Sequence, residues 1–118
     1  MVAHRVNQAE AEYAFQEAEL EQTRQEVERE VRQAFREVKL ARIARDSSRL
    51  QVEQARESVR IAQGQYRAGL AGFTVVNEQQ RELVRTQGEQ TLSTFNYLTA
   101  RARLAQAVGA EVLAEPEL

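Results

Sequence analysis

Apolar residues recur every seven positions through the first half of the chain, at 6, 13, 20, 27, 34, 41, 55 and 62, with Ser48 as the exception in the series. A companion series starts four residues after position 27 and keeps the same interval. Because a seven-residue repeat with 3–4 spacing is typical of a coiled-coil seam, the pattern predicts a long helix packed on a partner helix. Arg45 and Ser48 interrupt this seam in neighbouring layers, where we expect it to loosen. The residues assigned to the seam on this helix are Val27, Val31, Val38, Val52, Val59 and Tyr66.

A second and thinner set of apolar residues lies on the opposite face of the same helix, at 100° per residue. A helix in an isolated two-helix hairpin needs only one apolar stripe. The second set therefore predicts neighbouring helices on both sides of the hairpin. Its members are Ala11, Ala14, Phe15, Ala18, Leu40, Ile43 and Leu50.

The chain is predicted to reverse once, at two closely spaced glycines. No helix-breaking residue precedes Gly64, so the first helix is predicted over residues 3–67. Gly69 and Gly72 suit a helix C-cap or a tight turn because glycine tolerates positive φ, and they place the tip at residues 68–72. A connection this short forces the two helices to pack antiparallel.

The return helix is predicted over residues 73–108 and is much shorter than the first. Gly109 ends its pattern, and residues 109–118, with Pro116 as a stop, are interpreted as a tail. The predicted fold class is all-α: a long antiparallel helical hairpin, or coiled coil, with unequal arms, associating into a helical bundle. The seam residues assigned to the return helix are the apolar Val84, Phe95 and Leu98.

The unequal arms leave residues 3–30 without a partner helix in the chain. Their apolar side chains would face water, so the isolated chain is expected to self-associate through side-by-side antiparallel hairpins. Charge is also uneven: residues 1–30 hold eight acids and three bases, whereas residues 31–70 hold nine bases and four acids. The basic stretch is interpreted as a solvated face, with a docking surface as the alternative.

Composition excludes several classes of protein. The 118 residues suffice for one domain, the absence of cysteine rules out disulfides and thiolate metal sites, and the net charge of −2 argues against a dedicated nucleic-acid binder. No apolar run is long enough to span a membrane, and no signal peptide is visible, so the chain itself is expected to be soluble. His4 has no convergent ligands and no catalytic constellation is present, which predicts no metal, no cofactor and no enzymatic activity.

Three stretches resemble TolC-like outer-membrane efflux proteins. "YRAGLAGFTVVNEQQ" (66–80) is similar to the tip of that family's periplasmic hairpin, where a Tyr precedes a Gly by three residues and a short apolar turn follows. "VEREVRQAF" (27–35) resembles its long descending helix, and "FNYLTARARLAQAVG" (95–109) resembles the end of its second repeat. The chain departs from the family at Gly72 and Val75, where Ser or Thr and Asp are usual and could form a capping pair.

The resemblance covers residues 7–109 and implies that the chain is one hairpin, that of the second repeat, within a larger multidrug efflux channel. It implies a trimer whose hairpins form a tube across the periplasm, anchored in the outer membrane of a Gram-negative bacterium. The tube would export small molecules or proteins received from an inner-membrane pump. Its tips would dock a periplasmic adaptor (membrane fusion) protein through Arg67, Gly69, Leu70, Ala71, Gly72 and Phe73.

The alternative is a plain coiled-coil interaction module, such as the hairpin of a periplasmic adaptor or a cytosolic helical scaffold. An adaptor hairpin should have arms of similar length and flanking lipoyl-like β segments, and neither is seen. A scaffold has no need of the pattern formed by Tyr66, Gly69, Leu70 and Phe73.

Overall fold

The chain folds into two helices joined by a short tip. The computed structural model describes the backbone of residues 1–114 and the side chains of residues 1–109. Helix α1 is Val2–Arg67, with 66 residues, and helix α2 is Phe73–Ala114, with 42 residues. Over these described residues no strand is present. The predicted all-α hairpin with unequal arms is confirmed.

The predicted end of the return helix at residue 108 is wrong, because α2 continues to Ala114. Gly109 lies inside the helix, and among the described residues only Gly69 has a positive φ. A single glycine inside a helix costs only about 1 kcal/mol relative to alanine, so it does not stop a helix unless it adopts a capping conformation. The expected stop at Pro116 lies outside the described residues.

The chain divides into two compact units, one of which is Arg36–Ala102. This unit contains the second half of α1, the tip and most of α2. Its helices run antiparallel: Ala55 and Thr86 line the same groove, and the guanidinium of Arg45 lies 4.2 Å from the ring centroid of Tyr97. The two helices therefore pack along a shared line of side chains, which we call the inner seam.

On α1 the inner seam follows the predicted seven-residue repeat. Ser48 is buried, and its hydroxyl donates to the Arg45 carbonyl at 2.7 Å. The Arg45 side chain is only 20% exposed, contacts the Asp46 carboxylate at 3.2 Å and lies over Tyr97. The two positions at which the seam was expected to loosen are therefore occupied by the packed side chains of Arg45 and Ser48. The buried residues of α1 in this unit are Val38, Ser48, Val52, Ala55, Val59 and Ala62.

On α2 the predicted seam is wrong. Val84, Phe95 and Leu98 are all exposed, and a different set of residues with 3–4 spacing faces α1. That set contains hydroxyl and amide groups, so the spacing of apolar residues alone did not indicate it. The buried hydroxyl of Thr86 donates to the Leu83 carbonyl at 2.9 Å, so its burial leaves no unsatisfied donor. The residues of α2 in the inner seam are Val76, Gln79, Leu83, Thr86, Gln90, Ser93, Tyr97 and Ala100.

The second unit contains Met1–Phe35 and the described residues from Arg103 onward. Every residue from 1 to 26 is exposed, which agrees with the expected uncovered arm. Burial begins at Val27, and Ala34 is the first buried residue. We call residues 1–26 the N-terminal arm. Its large exposed apolar side chains include Val2, Val6, Tyr13, Phe15 and Leu20.

Candidate functional site: the hairpin tip and the outer stripe

The tip begins where a glycine ends α1. The amide of Gly69 donates to the Tyr66 carbonyl at 3.1 Å, and the amide of Leu70 donates to the Gln65 carbonyl at 2.8 Å. These two bonds form a Schellman cap, in which the residue after the cap adopts a left-handed conformation. Gly69 has φ of 75°, which glycine adopts without a steric penalty. The reversal is therefore fixed by backbone hydrogen bonds.

A second glycine precedes α2. The amide of Val75 donates to the Gly72 carbonyl at 3.2 Å, so Gly72 occupies the N-cap position. The rings of Tyr66 and Phe73 meet edge-on with centroids 5.7 Å apart, joining the end of one helix to the start of the other. Tyr66 is half exposed and lies beyond the buried part of the inner seam.

Leu70 projects from this fixed turn into solvent. In a Schellman cap the residue at this position usually packs back on the helix, but Leu70 is 81% exposed. Phe73 and Arg67 beside it are also exposed, and Ala71 is half-buried. The structure brings the six predicted tip residues together in one segment, and it presents an apolar side chain at the end of the hairpin. Their docking role stays a prediction.

An exposed stripe of mostly apolar and small residues runs along α2. Its residues have alternating spacings of four and three, like the inner seam, and none of them is charged. All are exposed, Val84 by 68%. A stripe with this spacing matches the packing pattern of a further helix. We call it the outer stripe, and its members within Arg36–Ala102 are Val84, Gly88, Thr91, Phe95, Leu98 and Ala102.

Two groups of charged residues in this unit are paired along the surface of their own helices. Arg60 donates to Glu57, with Nε 2.9 Å from Oε2, and this hydrogen bond lowers the pKa of the Glu57 carboxyl. Arg85 donates to both Glu82 and Glu89. The hydrogen bond between Arg85 and Glu82 lowers the pKa of Glu82 and raises that of Arg85. These exposed pairs support helix formation and do not form an enclosed chemical site.

Comparison with known protein families accounts for this arrangement. The family model described as outer membrane efflux protein matches residues 1–110. The chain belongs to the outer membrane efflux protein family. Comparisons with curated proteins and with solved structures found no match. The resemblance drawn from the sequence motifs is thereby confirmed.

Membership of the outer membrane efflux protein family makes the chain a component of an efflux channel, and this is a transport family rather than an enzyme family. Over the described residues, neither α1 nor α2 contains a stretch that is long and apolar enough to cross a bilayer. The surfaces that the hairpin offers to other helices are therefore the candidate functional surfaces.

Sequence reasoning missed the α2 half of the inner seam in this efflux protein, together with the contact between Arg45 and Tyr97. The sequence contained one signal of this seam, because Val76, Leu83 and Tyr97 are separated from one another by multiples of seven residues. The stronger apolarity of the outer stripe masked it.

Proposed function

We propose that this chain forms part of the periplasmic helical tunnel of a TolC-like outer-membrane efflux channel, and that its tip docks a periplasmic adaptor protein. The observation that carries the docking proposal is the exposure of Leu70 on a turn fixed by backbone hydrogen bonds. An exposed leucine on a mobile loop would be ordinary. A leucine whose backbone is held by hydrogen bonds suits a contact site.

Pre-organisation explains why such a tip binds well. Binding costs less when the contacting segment is already ordered, and interface energy concentrates in a few anchors that enter pockets. Leu70 supplies the anchor and Phe73 extends the apolar surface. Arg67 supplies a positive charge beside them.

The outer stripe supports the tunnel part of the proposal. A tunnel wall requires each hairpin to contact helices on both flanks, and α2 has an inner seam on one side and the outer stripe on another. On α1, Leu40, Ile43 and Leu50 are exposed as well. We propose that neighbouring hairpins of a trimeric channel cover these side chains. The adaptor would connect the channel to an inner-membrane pump, for export of small molecules or proteins.

Adaptor binding by a Leu70→Asp variant tests the docking role. The probe is the purified helical hairpin of a periplasmic adaptor from a Gram-negative efflux pump, immobilised for binding measurements. Because Leu70 contributes little buried area to the fold, the substitution should leave helicity unchanged. It should weaken adaptor binding at least tenfold, since a carboxylate replaces the anchor in an apolar pocket.

Leu92→Asp is the matched control, because Leu92 is an exposed leucine in the body of α2. It should not alter tip binding. Equal adaptor binding by the wild type and the Leu70→Asp variant would remove the tip from the proposed function. Equal loss in both variants would show that binding is not localised at the tip.

A further inference from the structure

One edge of the inner seam within Arg36–Ala102 carries arginines at intervals of seven residues. Arg49 lies four residues after Arg45 and three before Val52, and at 100° per residue this places it beside those two residues of the seam. Because a helix rises about 1.5 Å per residue, successive arginines are about 10.5 Å apart along α1. We call this set the arginine row, and its members are Arg42, Arg49 and Arg56.

The opposite edge of the inner seam has a different charge. Gln51 and Ser58 of α1 line one groove together with Glu82 and Glu89 of α2. Arg85 lines the same groove and donates to both glutamates. This edge is therefore neutral on α1 and acidic on α2, and its arginine is already paired. The arginine row lies along the other edge.

On α2 the edge that accompanies the arginine row holds no acid. Gln87 lies four residues after Leu83 and three before Gln90, which places it beside the seam on the side away from the acidic groove. The guanidinium of Arg101 adds a further positive charge and lies 5.7 Å from the ring centroid of Tyr97. We call this edge of both helices the basic side, and its residues on α2 are Gln80, Gln87, Thr94 and Arg101.

The charges of the arginine row are available to a partner. All three arginines are exposed, and none makes an ion pair with another described residue. Two acids lie near them on α1. Asp46 contacts Arg45 at 3.2 Å, and Glu53 makes no ion pair with a described residue. Bases therefore outnumber acids along this edge, and a surface of one sign attracts a partner of the opposite sign.

We propose that the basic side binds an acidic α-helix of a partner protein. A helix that repeats carboxylates every seven residues presents them at the same interval of about 10.5 Å as the arginine row. Arginine matches a carboxylate with two parallel hydrogen bonds, which favours this pairing over a diffuse attraction. Two packed helices also leave a groove along each edge of their contact, in which a third helix can lie.

The spacing favours an acidic helix over other anionic partners. Phosphates of one DNA strand follow at about 3.4 Å along the duplex axis, so most of them would meet no arginine of the row. A second copy of this chain is the other competitor, because Glu12, Glu19 and Glu26 also recur at intervals of seven. In the proposed tunnel, however, neighbouring copies have equivalent residues side by side, which does not bring these acids to an arginine row. This choice of partner rests on the proposed function.

Fluorescence anisotropy of a labelled peptide provides the test. The probe is a synthetic peptide of about 25 residues, long enough to form a helix alone, with glutamate at three positions seven residues apart and uncharged helix formers elsewhere. A reference peptide has glutamine at those three positions. At low ionic strength the wild type should bind the glutamate peptide about tenfold more tightly than the reference, as expected for three exposed ion pairs. Added salt should reduce this preference.

Replacement of the whole arginine row should abolish the preference. The test variant carries Arg42→Gln, Arg49→Gln and Arg56→Gln, and because all three side chains are exposed, its helicity should equal that of the wild type. It should bind the two peptides with equal affinity.

The matched control carries Arg36→Gln, Arg67→Gln and Arg81→Gln, which removes the same charge from exposed arginines outside the arginine row. These three also make no ion pair with another described residue. The control should keep the wild-type preference for the glutamate peptide. The Leu70→Asp variant should keep it as well, so failure of tip docking and failure of the basic side are distinguishable.

Three results would overturn the proposal. The first is equal binding of the two peptides by the wild type. The second is an equal loss of preference in both triple variants, which would show that net charge rather than the arginine row attracts the peptide. The third is weaker self-association of the arginine-row variant than of the wild type in analytical ultracentrifugation, because the occupant would then be a second copy of the chain.

Discussion

Replacing Gly69 by alanine probes the reversal on which the hairpin depends. At φ of 75°, a Cβ atom would meet no neighbouring side chain, so any cost must come from the backbone itself. A left-handed conformation costs an L-residue roughly 1–2 kcal/mol. Alanine also lowers the entropy of the unfolded chain, which returns roughly 0.4–1 kcal/mol. The expected net destabilisation by Gly69→Ala is about 1 kcal/mol.

Gly72→Ala is the matched control for this prediction. Gly72 has the same open surroundings but no positive φ. Alanine is a poorer N-cap than glycine by a few tenths of a kcal/mol or somewhat more, and the unfolded-state gain is of similar size. The control should therefore have nearly wild-type stability. Gly69→Asn should lie between wild type and Gly69→Ala, because asparagine tolerates the left-handed region better than alanine.

Thermal unfolding followed by far-ultraviolet circular dichroism gives the measurement. For a chain of this size, about 1 kcal/mol corresponds to a fall in Tm of roughly 3–6 °C. All variants must be compared at one protein concentration, since association shifts apparent stability. If Gly69→Ala and Gly72→Ala unfold at the same temperature, the left-handed cap does not contribute to the fold in the way described.

Three further predictions concern the helices. Val52→Ala, at an inner-seam residue that is 3% exposed, should destabilise the chain by about 2 kcal/mol in urea unfolding, whereas Val84→Ala on the outer stripe should change it little; equal effects would contradict the assignment of the two faces. Gly88→Ala should raise stability by roughly 0.5–1 kcal/mol, because Gly88 lies inside α2 and a methyl group added there would have no neighbouring atom within 4 Å. A lower Tm of this variant would show that this part of α2 is not a regular exposed helix. The pKa values of Glu57 and Glu82 are lowered, so their contribution to stability is present above the ordinary carboxyl pKa of 4.5 and is lost as pH falls below it. A double Glu57→Gln and Glu82→Gln variant should therefore show a shallower fall in Tm on acidification. An acid profile identical to that of the wild type would argue against the two pairs.

The sequence predicted α1 and the tip closely because both depend on local rules. Seven-residue spacing without a breaker specifies a long helix, and Gly69 supplies the conformation that ends it. The sequence did not predict which face of α2 turns inward. Two stripes on α2 have the same 3–4 spacing, and the one containing Val84 and Phe95 is the more apolar. Residues such as Gln79 and Ser93 are placed inward by tertiary packing, and their polar side chains did not indicate it.

The position of the tip was predictable, but the direction of its side chains was not. The two glycines and their spacing indicated the position of the reversal, and the motif indicated the family. The exposure of Leu70 could not be read from the sequence, because a leucine after a helix-ending glycine commonly packs back on its own helix. That distinction depends on the direction in which the turn points its side chains.

The buried residues of the inner seam are all valine, alanine, serine or threonine, and none of the described residues is less than 2% exposed. Such a seam lets the two backbones come close but removes little hydrocarbon from water. A single hairpin is therefore expected to have only a modest reserve of stability, to which association with neighbouring chains would add. Folding and acquisition of neighbours should then occur as one coupled event, with an orphan protomer exposed to proteolysis until it is joined by others.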